Sequence, residues 1–121
     1  MNPIVKIRKA KMRAQKGRCF YCRLPMWDKN NKSPHWPTER FDPLPKELQC
    51  TAEHLLAKSE GGRDEPRNIV AACRFCNEAR HRCKTPKSPS DHRAHVRKRM
   101  AKGRWLAARQ GKVWMMLIAS R

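Results

Sequence analysis

The chain has 121 residues, enough for one small domain whose core benefits from a bound metal or a partner subunit. It lacks the run of about eighteen apolar residues that a membrane span needs, and the N-terminus MNPIVKIRKAKMRAQ lacks the apolar stretch of a secretory signal. A cytoplasmic protein, bacterial or phage-encoded, is therefore the expectation, and the net charge of +19 favours a polyanionic partner.

The positive charge lies on both sides of a neutral centre. Residues 1–18 carry a net charge of +7, residues 19–79 are neutral, and residues 80–121 carry +12. Neither basic arm shows the wide apolar face of a helix that lies in a bilayer, so nucleic acid is favoured over a membrane surface. The alternative is that the arms are solvated tails that serve solubility.

In chain order, the first predicted element is a basic helix that starts at Pro3, runs to about Lys16 and ends at Gly17. A proline-rich stretch follows and excludes regular structure through most of its length. It contains Trp27 and Trp36, which are expected to cap a small core rather than to stack on bases.

The next elements are two short strands and a helix. The first strand ends at Glu53 and His54, two glycines then indicate a turn, and Asn68–Ala71 reads as a second, apolar strand. In the helix that follows, Asn77 and His81 are spaced i, i+4 and share a face.

Two CxxC pairs supply four soft ligands for a tetrahedral structural zinc ion. The pairs are Cys19 with Cys22 and Cys73 with Cys76. Without an export signal, six cysteines are more naturally reduced or metal-bound than paired in disulfides. Cys50 and Cys83 are left over and are interpreted as small buried residues.

The order Glu-His, Gly-Gly, an isolated Asn and then CxxCN resembles the signature of HNH endonucleases, the ββα-metal nucleases. The three letters of the motif fall on His54, Asn68 and Asn77, and the resemblance spans about Arg18 to Arg82. It implies an α+β fold: a small, treble-clef-like ββα-metal domain stabilised by zinc, with basic helices at both ends.

Phosphodiester hydrolysis needs a base for water and a cation for the developing charge, and His54 is the candidate base. The resemblance implies that Glu53, Asn77 and His81 hold a catalytic divalent ion, which is Mg²⁺, Mn²⁺, Ni²⁺ or Zn²⁺. Asn68 is expected to brace the loop that carries His54 or to fix the tautomer of its imidazole.

A second basic helix is predicted beyond a short hinge, from Asp91 to about Lys102, with Ser90 as its N-cap and Gly103 as its end. His92 and His95 are read as residues of its polar face. The candidate nucleic-acid contacts are Arg80, Arg82, Arg93, Arg97 and Lys98.

These observations divide the chain into a basic N-terminal helix packing on the core (residues 1–18), a nuclease core with structural zinc (19–83) and a basic helical extension (84–121). The expected function is metal-dependent cleavage of DNA, most naturally duplex DNA.

Two alternatives stay open. One is a zinc-dependent nucleic-acid-binding module without catalysis. The other is an interaction adaptor that uses the apolar run at 113–118, which would pack on the core, on a second copy in a homodimer, or within a larger complex.

Overall fold

The structure, a computed structural model, describes residues 2–29 and 45–106. Its regular elements are α1 (Pro3–Ala14), β1 (Cys50–His54), β2 (Ile69–Cys73), α2 (Arg74–His81) and α3 (Pro89–Ala101). Three single-turn 3-10 helices lie at Lys46–Leu48, Lys58–Glu60 and Pro66–Asn68. The succession β1, β2, α2 is the ββα order, and the fold is a small mixed α/β domain of the ββα-metal kind, as predicted.

The two strands form an antiparallel hairpin that is the whole sheet of the described part of the chain. Its register pairs Cys50 with Cys73 at one end and His54 with Ile69 at the other. All five residues of β2 are buried, whereas in β1 only Cys50 and Glu53 are. The sheet therefore carries a carboxylate into the interior at the end of β1, immediately before His54.

The first helix starts where the sequence predicts and ends earlier. The Asn2 side chain caps it by accepting a hydrogen bond of 3.0 Å from the Ile4 backbone N–H, and Pro3 occupies the first helical position. The predicted end at Lys16 is wrong by two residues, because Lys16 and Gly17 adopt φ values of 56° and 76°, which leave the helical region.

Helix α1 is fixed to the sheet by one amide side chain. Gln15 Nε2 donates to the Ala71 carbonyl at 2.9 Å, and the Ala71 N–H donates back to Gln15 Oε1 at 2.9 Å. Met12, one turn earlier, lies in the core cluster. The basic N-terminal helix is thus packed on the sheet through its C-terminal half.

Helix α3 begins two residues before the predicted start. Ser88, not Ser90, is its N-cap, and the Ser88 Oγ accepts a hydrogen bond of 3.2 Å from the Asp91 N–H. The interpretation of His92 as a polar-face residue is wrong: its side chain is buried, and Nε2 lies 3.0 Å from the Cys76 carbonyl oxygen. Its ring also packs edge-on against Tyr21, with centroids 4.7 Å apart.

The remaining expectations for the core are met in part. Trp27 packs against the core and donates from Nε1 to the Pro45 carbonyl at 2.7 Å, in agreement with a capping role. Cys50 is buried as expected, but Cys83 is exposed. Trp36 and the apolar run at 113–118 lie outside the described residues. Within residues 2–29 and 45–106, no helix has the length and apolarity to cross a membrane.

Candidate metal centres and active site

Four buried cysteines meet at one point between the turn after α1 and the start of α2. The sulfur atoms of Cys19, Cys22, Cys73 and Cys76 all lie within 4.8 Å of one another. The Sγ atoms of Cys22 and Cys73 are 3.9 Å apart. Tetrahedral Zn–S bonds of about 2.3 Å place sulfur atoms about 3.8 Å apart, so the four thiols fit a structural metal such as zinc.

Backbone and side-chain N–H groups donate hydrogen bonds to these sulfur atoms. Cys19 Sγ accepts from the N–H groups of Tyr21 and Cys73, both at 3.3 Å. Cys76 Sγ accepts from Trp105 Nε1 at 3.3 Å. Such donors stabilise thiolates and orient metal ligands, so the surroundings of the cluster suit deprotonated sulfur.

The pKa values of the thiols show why a bound cation would be needed to keep all four deprotonated. Burial raises the pKa of Cys73 and of Cys76 well above the usual range. Burial also acts on Cys19, but hydrogen bonds from the other three thiols outweigh it and hold its pKa well below the usual range. Four thiolates at this burial would need a cation among them, such as a zinc ion.

The second candidate centre is built around the carboxylate of Glu53, which is 1% exposed. Its Oε2 accepts a hydrogen bond of 2.8 Å from the Tyr21 hydroxyl and one of 3.2 Å from Arg80 Nη1. Tyr21 lies between Cys19 and Cys22, so the cysteine cluster and the carboxylate are joined by one side chain. Burial, together with the charge of Glu53, raises the pKa of Tyr21 far above its usual range, which keeps the hydroxyl a donor.

Arg80 lies inside the domain and not on its surface, contrary to the expectation that it contacts phosphate. It is 5% exposed. Besides Glu53, its guanidinium donates to the carbonyls of His54 at 2.8 Å, Leu55 at 2.8 Å and Lys87 at 2.9 Å. A side chain engaged in this way holds the end of β1 and the hinge before α3, and it has no free edge for a phosphate.

The other oxygen of Glu53 faces His81. Glu53 Oε1 and His81 Nε2 lie 2.8 Å apart. Adjacent ligands at right angles around an ion, with bonds of about 2.0–2.1 Å, lie about 2.9 Å apart. The two atoms lie at hydrogen-bonding distance in the structure, and the same separation would also suit neighbouring ligands of one octahedral ion. The hydrogen bonds to Oε2 fix the carboxylate from the other side.

Asn77 lies one turn before His81 on the same helix. Its Nδ2 donates to Thr51 Oγ1 at 3.0 Å and to the Ala52 carbonyl at 3.3 Å, which ties α2 to β1. None of the residues placed in the structure donates to its Oδ1. The amide oxygen, the atom that a metal prefers, is thus left available.

His54 follows Glu53 but takes a different partner. Its Nε2 lies 2.7 Å from Asp64 Oδ1, and Lys58 Nζ lies 3.5 Å from Asp64 Oδ2. The hydrogen bond from His54 is the main cause that lowers the pKa of Asp64, so this carboxylate is ionised at neutral pH. An ionised carboxylate only accepts hydrogen bonds, so His54 Nε2 is the donor, and in the neutral form of this ring the lone pair is on Nδ1.

Asn68 closes the loop between the strands. Its Oδ1 accepts from the Leu56 N–H at 2.8 Å, and its Nδ2 donates to the carbonyls of Leu56 at 3.1 Å and Arg63 at 3.0 Å. The Leu55 N–H also donates to the Asn68 carbonyl at 2.9 Å. These bonds brace the chain directly after His54.

Of the other candidate nucleic-acid contacts, Arg82 directly follows α2, and Arg93, Arg97 and Lys98 lie on α3. Arg82, Arg97 and Lys98 are exposed. Arg93 is half-buried, with its guanidinium carbon 5.0 Å from the centroid of the Phe20 ring.

Sequence reasoning missed two side chains of this region, Tyr21 and Asp64. Tyr21 lies between the two cysteines of the first CxxC pair, and nothing in its neighbourhood signals a partner 32 residues away. The sequence gives a weak indication of a role for Asp64. It is an acidic residue in a loop that begins with two glycines, and this loop must return the chain to the strand ends.

The fold and the cysteine cluster together define a small ββα-metal domain with a structural metal site. Residues 42–83 match the family model described as HNH endonuclease, a segment that includes both strands and α2. The match confirms the resemblance drawn from the motif for this segment, and it suggests a nuclease-type function with nucleic acid as the partner class. No curated protein and no solved structure matches the chain.

Proposed function

We propose that the chain is a metal-dependent endonuclease that hydrolyses phosphodiester bonds of DNA, duplex DNA being the expected substrate. The observation that carries the proposal is the spacing of Glu53 Oε1 and His81 Nε2, 2.8 Å apart at the end of a ββα motif that also presents His54. Tyr21 and Arg80 hold the carboxylate through Oε2, so Oε1, the oxygen that faces His81, is held in position.

The catalytic base in this proposal is His54. Asp64 accepts the hydrogen bond from Nε2, so Nδ1 is the atom that removes a proton from water. No residue of the described ranges bonds Nδ1. The hydroxide formed in this way attacks phosphorus in line with the leaving 3′-oxygen, which produces 5′-phosphate and 3′-hydroxyl ends.

The catalytic ion is proposed to be held by Glu53 Oε1, His81 Nε2 and Asn77 Oδ1. When bound there, Mg²⁺, Mn²⁺, Ni²⁺ or Zn²⁺ supplies positive charge for the phosphoryl and leaving oxygens. Three ligands leave positions for water and phosphate, as a hydrolytic site requires. Asn68 keeps the loop beside His54 in place and does not contact substrate.

One observation favours a second candidate, a zinc-dependent nucleic-acid-binding module without catalysis. Both oxygens of Glu53 already have partners within the protein, and Arg80 pairs with its charge. In that module, Glu53 and His81 form an internal pair that stabilises the fold, and no divalent ion enters.

Cleavage of supercoiled plasmid separates the two candidates. The protein is incubated with plasmid and with Mg²⁺, Mn²⁺ or Ni²⁺ beside two variants of equal zinc content, His54→Ala and His95→Ala. We expect wild type and His95→Ala to nick the plasmid and His54→Ala to be at least 100-fold slower, since a general base contributes about 10²–10⁴-fold. Equal nicking by all three proteins, or none with any ion, would favour the binding module.

A further inference from the structure

Two adjoining clefts run between the end of α1, the first cysteine pair and α3. The first has a volume of about 370 Å³, and its lining includes Lys16, Arg18, Phe20, Arg23 and Arg93. The second has a volume of about 590 Å³ and is lined along α3 and by Leu55. Phe20 and Arg93 line both, so the two clefts share a wall.

Positively charged side chains line the first cleft. Four of its lining residues are Lys or Arg, and among the described residues no Asp or Glu lines it. Arg97 lines the second cleft. A slight loss of hydration lowers the pKa of the exposed Arg97, and repulsion from Arg93 and Arg23 lowers it further, so charges of the two clefts act on each other. Such a cluster attracts an anion.

Arg93, at the junction, has an unsatisfied donor. Its Nε is buried and has no hydrogen-bond partner in the part of the chain that the structure describes. The guanidinium lies over the Phe20 ring, which fixes its plane. A buried N–H without a partner is costly, and a small turn of the side chain toward a phosphate oxygen in the cleft would satisfy it.

The second cleft leads from this junction toward the proposed reaction centre. Leu55, which lines it, directly follows His54, and its carbonyl accepts from Arg80. A polyanion that occupies both clefts would therefore pass from the base-bearing end of β1 to the cations beside the first cysteine pair.

We propose that the two clefts form one groove that binds consecutive phosphates of the DNA strand flanking the cleaved bond, with Lys16, Arg23 and Arg93 as its main contacts. This inference rests on the proposed function and adds to it a binding site apart from the reacting atoms. Arg18 belongs to the wall of the groove, since its Nη1 donates to the Arg23 carbonyl at 3.2 Å.

The backbone conformation of two residues of the groove permits a specific test of the groove. Lys16 and Arg23 have φ values of 56° and 67°, in the left-handed region where glycine is favoured. The variant Lys16→Gly with Arg23→Gly therefore removes two cations without forcing new backbone strain. The control is Lys46→Gln with Arg74→Gln, which removes the same charge at exposed positions that line neither cleft.

Binding of a fluorescein-labelled DNA duplex is measured by anisotropy across a range of NaCl concentrations, without added divalent ion. Each phosphate contact contributes about 0.9 to the slope of log K against log salt. We expect the glycine variant to lose about 1.8 from the slope and at least tenfold in affinity, and the control less than half of that.

Equal slopes for the glycine variant and the control would overturn the groove. So would a loss of binding to polyglutamate but not to DNA, which would make the groove a contact for acidic protein. The readout is independent of cleavage, so an inactive wild type that still shows the slope difference would refute the proposed nuclease and retain the groove.

Discussion

Replacing Arg80 tests whether this residue holds the fold or contacts DNA. The variant Arg80→Met keeps the apolar stem and removes the charge and the donors. It leaves the Glu53 carboxylate, 1% exposed, without its cation. It also removes hydrogen bonds of 2.8–2.9 Å from three carbonyls, those of His54, Leu55 and Lys87.

The expected cost is large because the pair is buried. Removing one partner of a buried ion pair costs about 3–5 kcal/mol, since it leaves an uncompensated charge inside the protein. For a domain of roughly 100 residues, 1 kcal/mol corresponds to about 4–8 °C, so the midpoint of thermal unfolding should fall by more than about 10 °C. Adding Glu53→Gln to Arg80→Met should recover at least about 1 kcal/mol, because no buried charge then remains unpaired.

The assay is urea denaturation followed by tryptophan fluorescence at a fixed zinc concentration. Arg82→Met is the matched control, since Arg82 is exposed two residues further on. We expect the control to change the free energy of unfolding by less than about 0.5 kcal/mol. If Arg80→Met were as stable as the control but bound DNA more weakly, Arg80 would be a phosphate contact and the internal role assigned to it would be refuted.

Three further variants test the two centres. Tyr21→Phe should weaken Mn²⁺ binding about 10-fold in calorimetry at unchanged zinc content, because Glu53 loses the donor that orients it; an unchanged Kd would contradict this. Asp64→Asn should lower kcat about 10–100-fold without changing DNA affinity, because the tautomer of His54 is no longer fixed, whereas Asp64→Glu should retain more activity. Full activity of Asp64→Asn would remove Asp64 from the mechanism. Cys73→Ser should lose bound zinc and the near-ultraviolet circular dichroism signal, because metal binding contributes about 10–16 kcal/mol to such folds; retention of both would disprove the structural site.

The cysteine cluster was predictable because its chemistry is carried by short spacings. Each CxxC pair presents two thiolates from one turn, and soft ligands of this kind select a tetrahedral metal. The hairpin and α2 were predictable from the same stretch, since apolar residues flank a glycine turn and Asn77 and His81 show helical spacing. The predicted ends of α1 and α3 are wrong by one or two residues, because more than one neighbouring residue can serve as the cap of a helix.

The burial of Arg80 was within reach of the sequence. Cys76 and Arg80 are spaced i, i+4 on α2, so a residue that follows a buried cysteine of the cluster by one turn lies on the inward face. Net charge and the basic surroundings pointed instead to the surface. The helical spacing predicts the burial of Arg80 better than the charge pattern does. A buried arginine needs an acidic partner, and Glu53 is that partner.

The contacts of Tyr21, Asp64 and His92 could not be predicted from the sequence. They join residues separated by 32, 10 and 16 positions, and no local periodicity sets such pairs. His92 was misread because α3 has few apolar residues, so its buried face is not marked by hydrophobicity. A buried histidine there is stabilised by the Cys76 carbonyl and the Tyr21 ring, which only the folded chain brings together.

The central claim is that Glu53, His81 and Asn77 hold one divalent ion, and paramagnetic NMR tests it most directly. Mn²⁺ is added to the zinc-loaded protein labelled with ¹⁵N and ¹³C, and the broadening of side-chain signals is followed at sub-stoichiometric ion. The account predicts that signals of His81 and Asn77 broaden first, while those of His95 persist. Broadening that is spread evenly over the surface, or confined to other acidic residues, would contradict it.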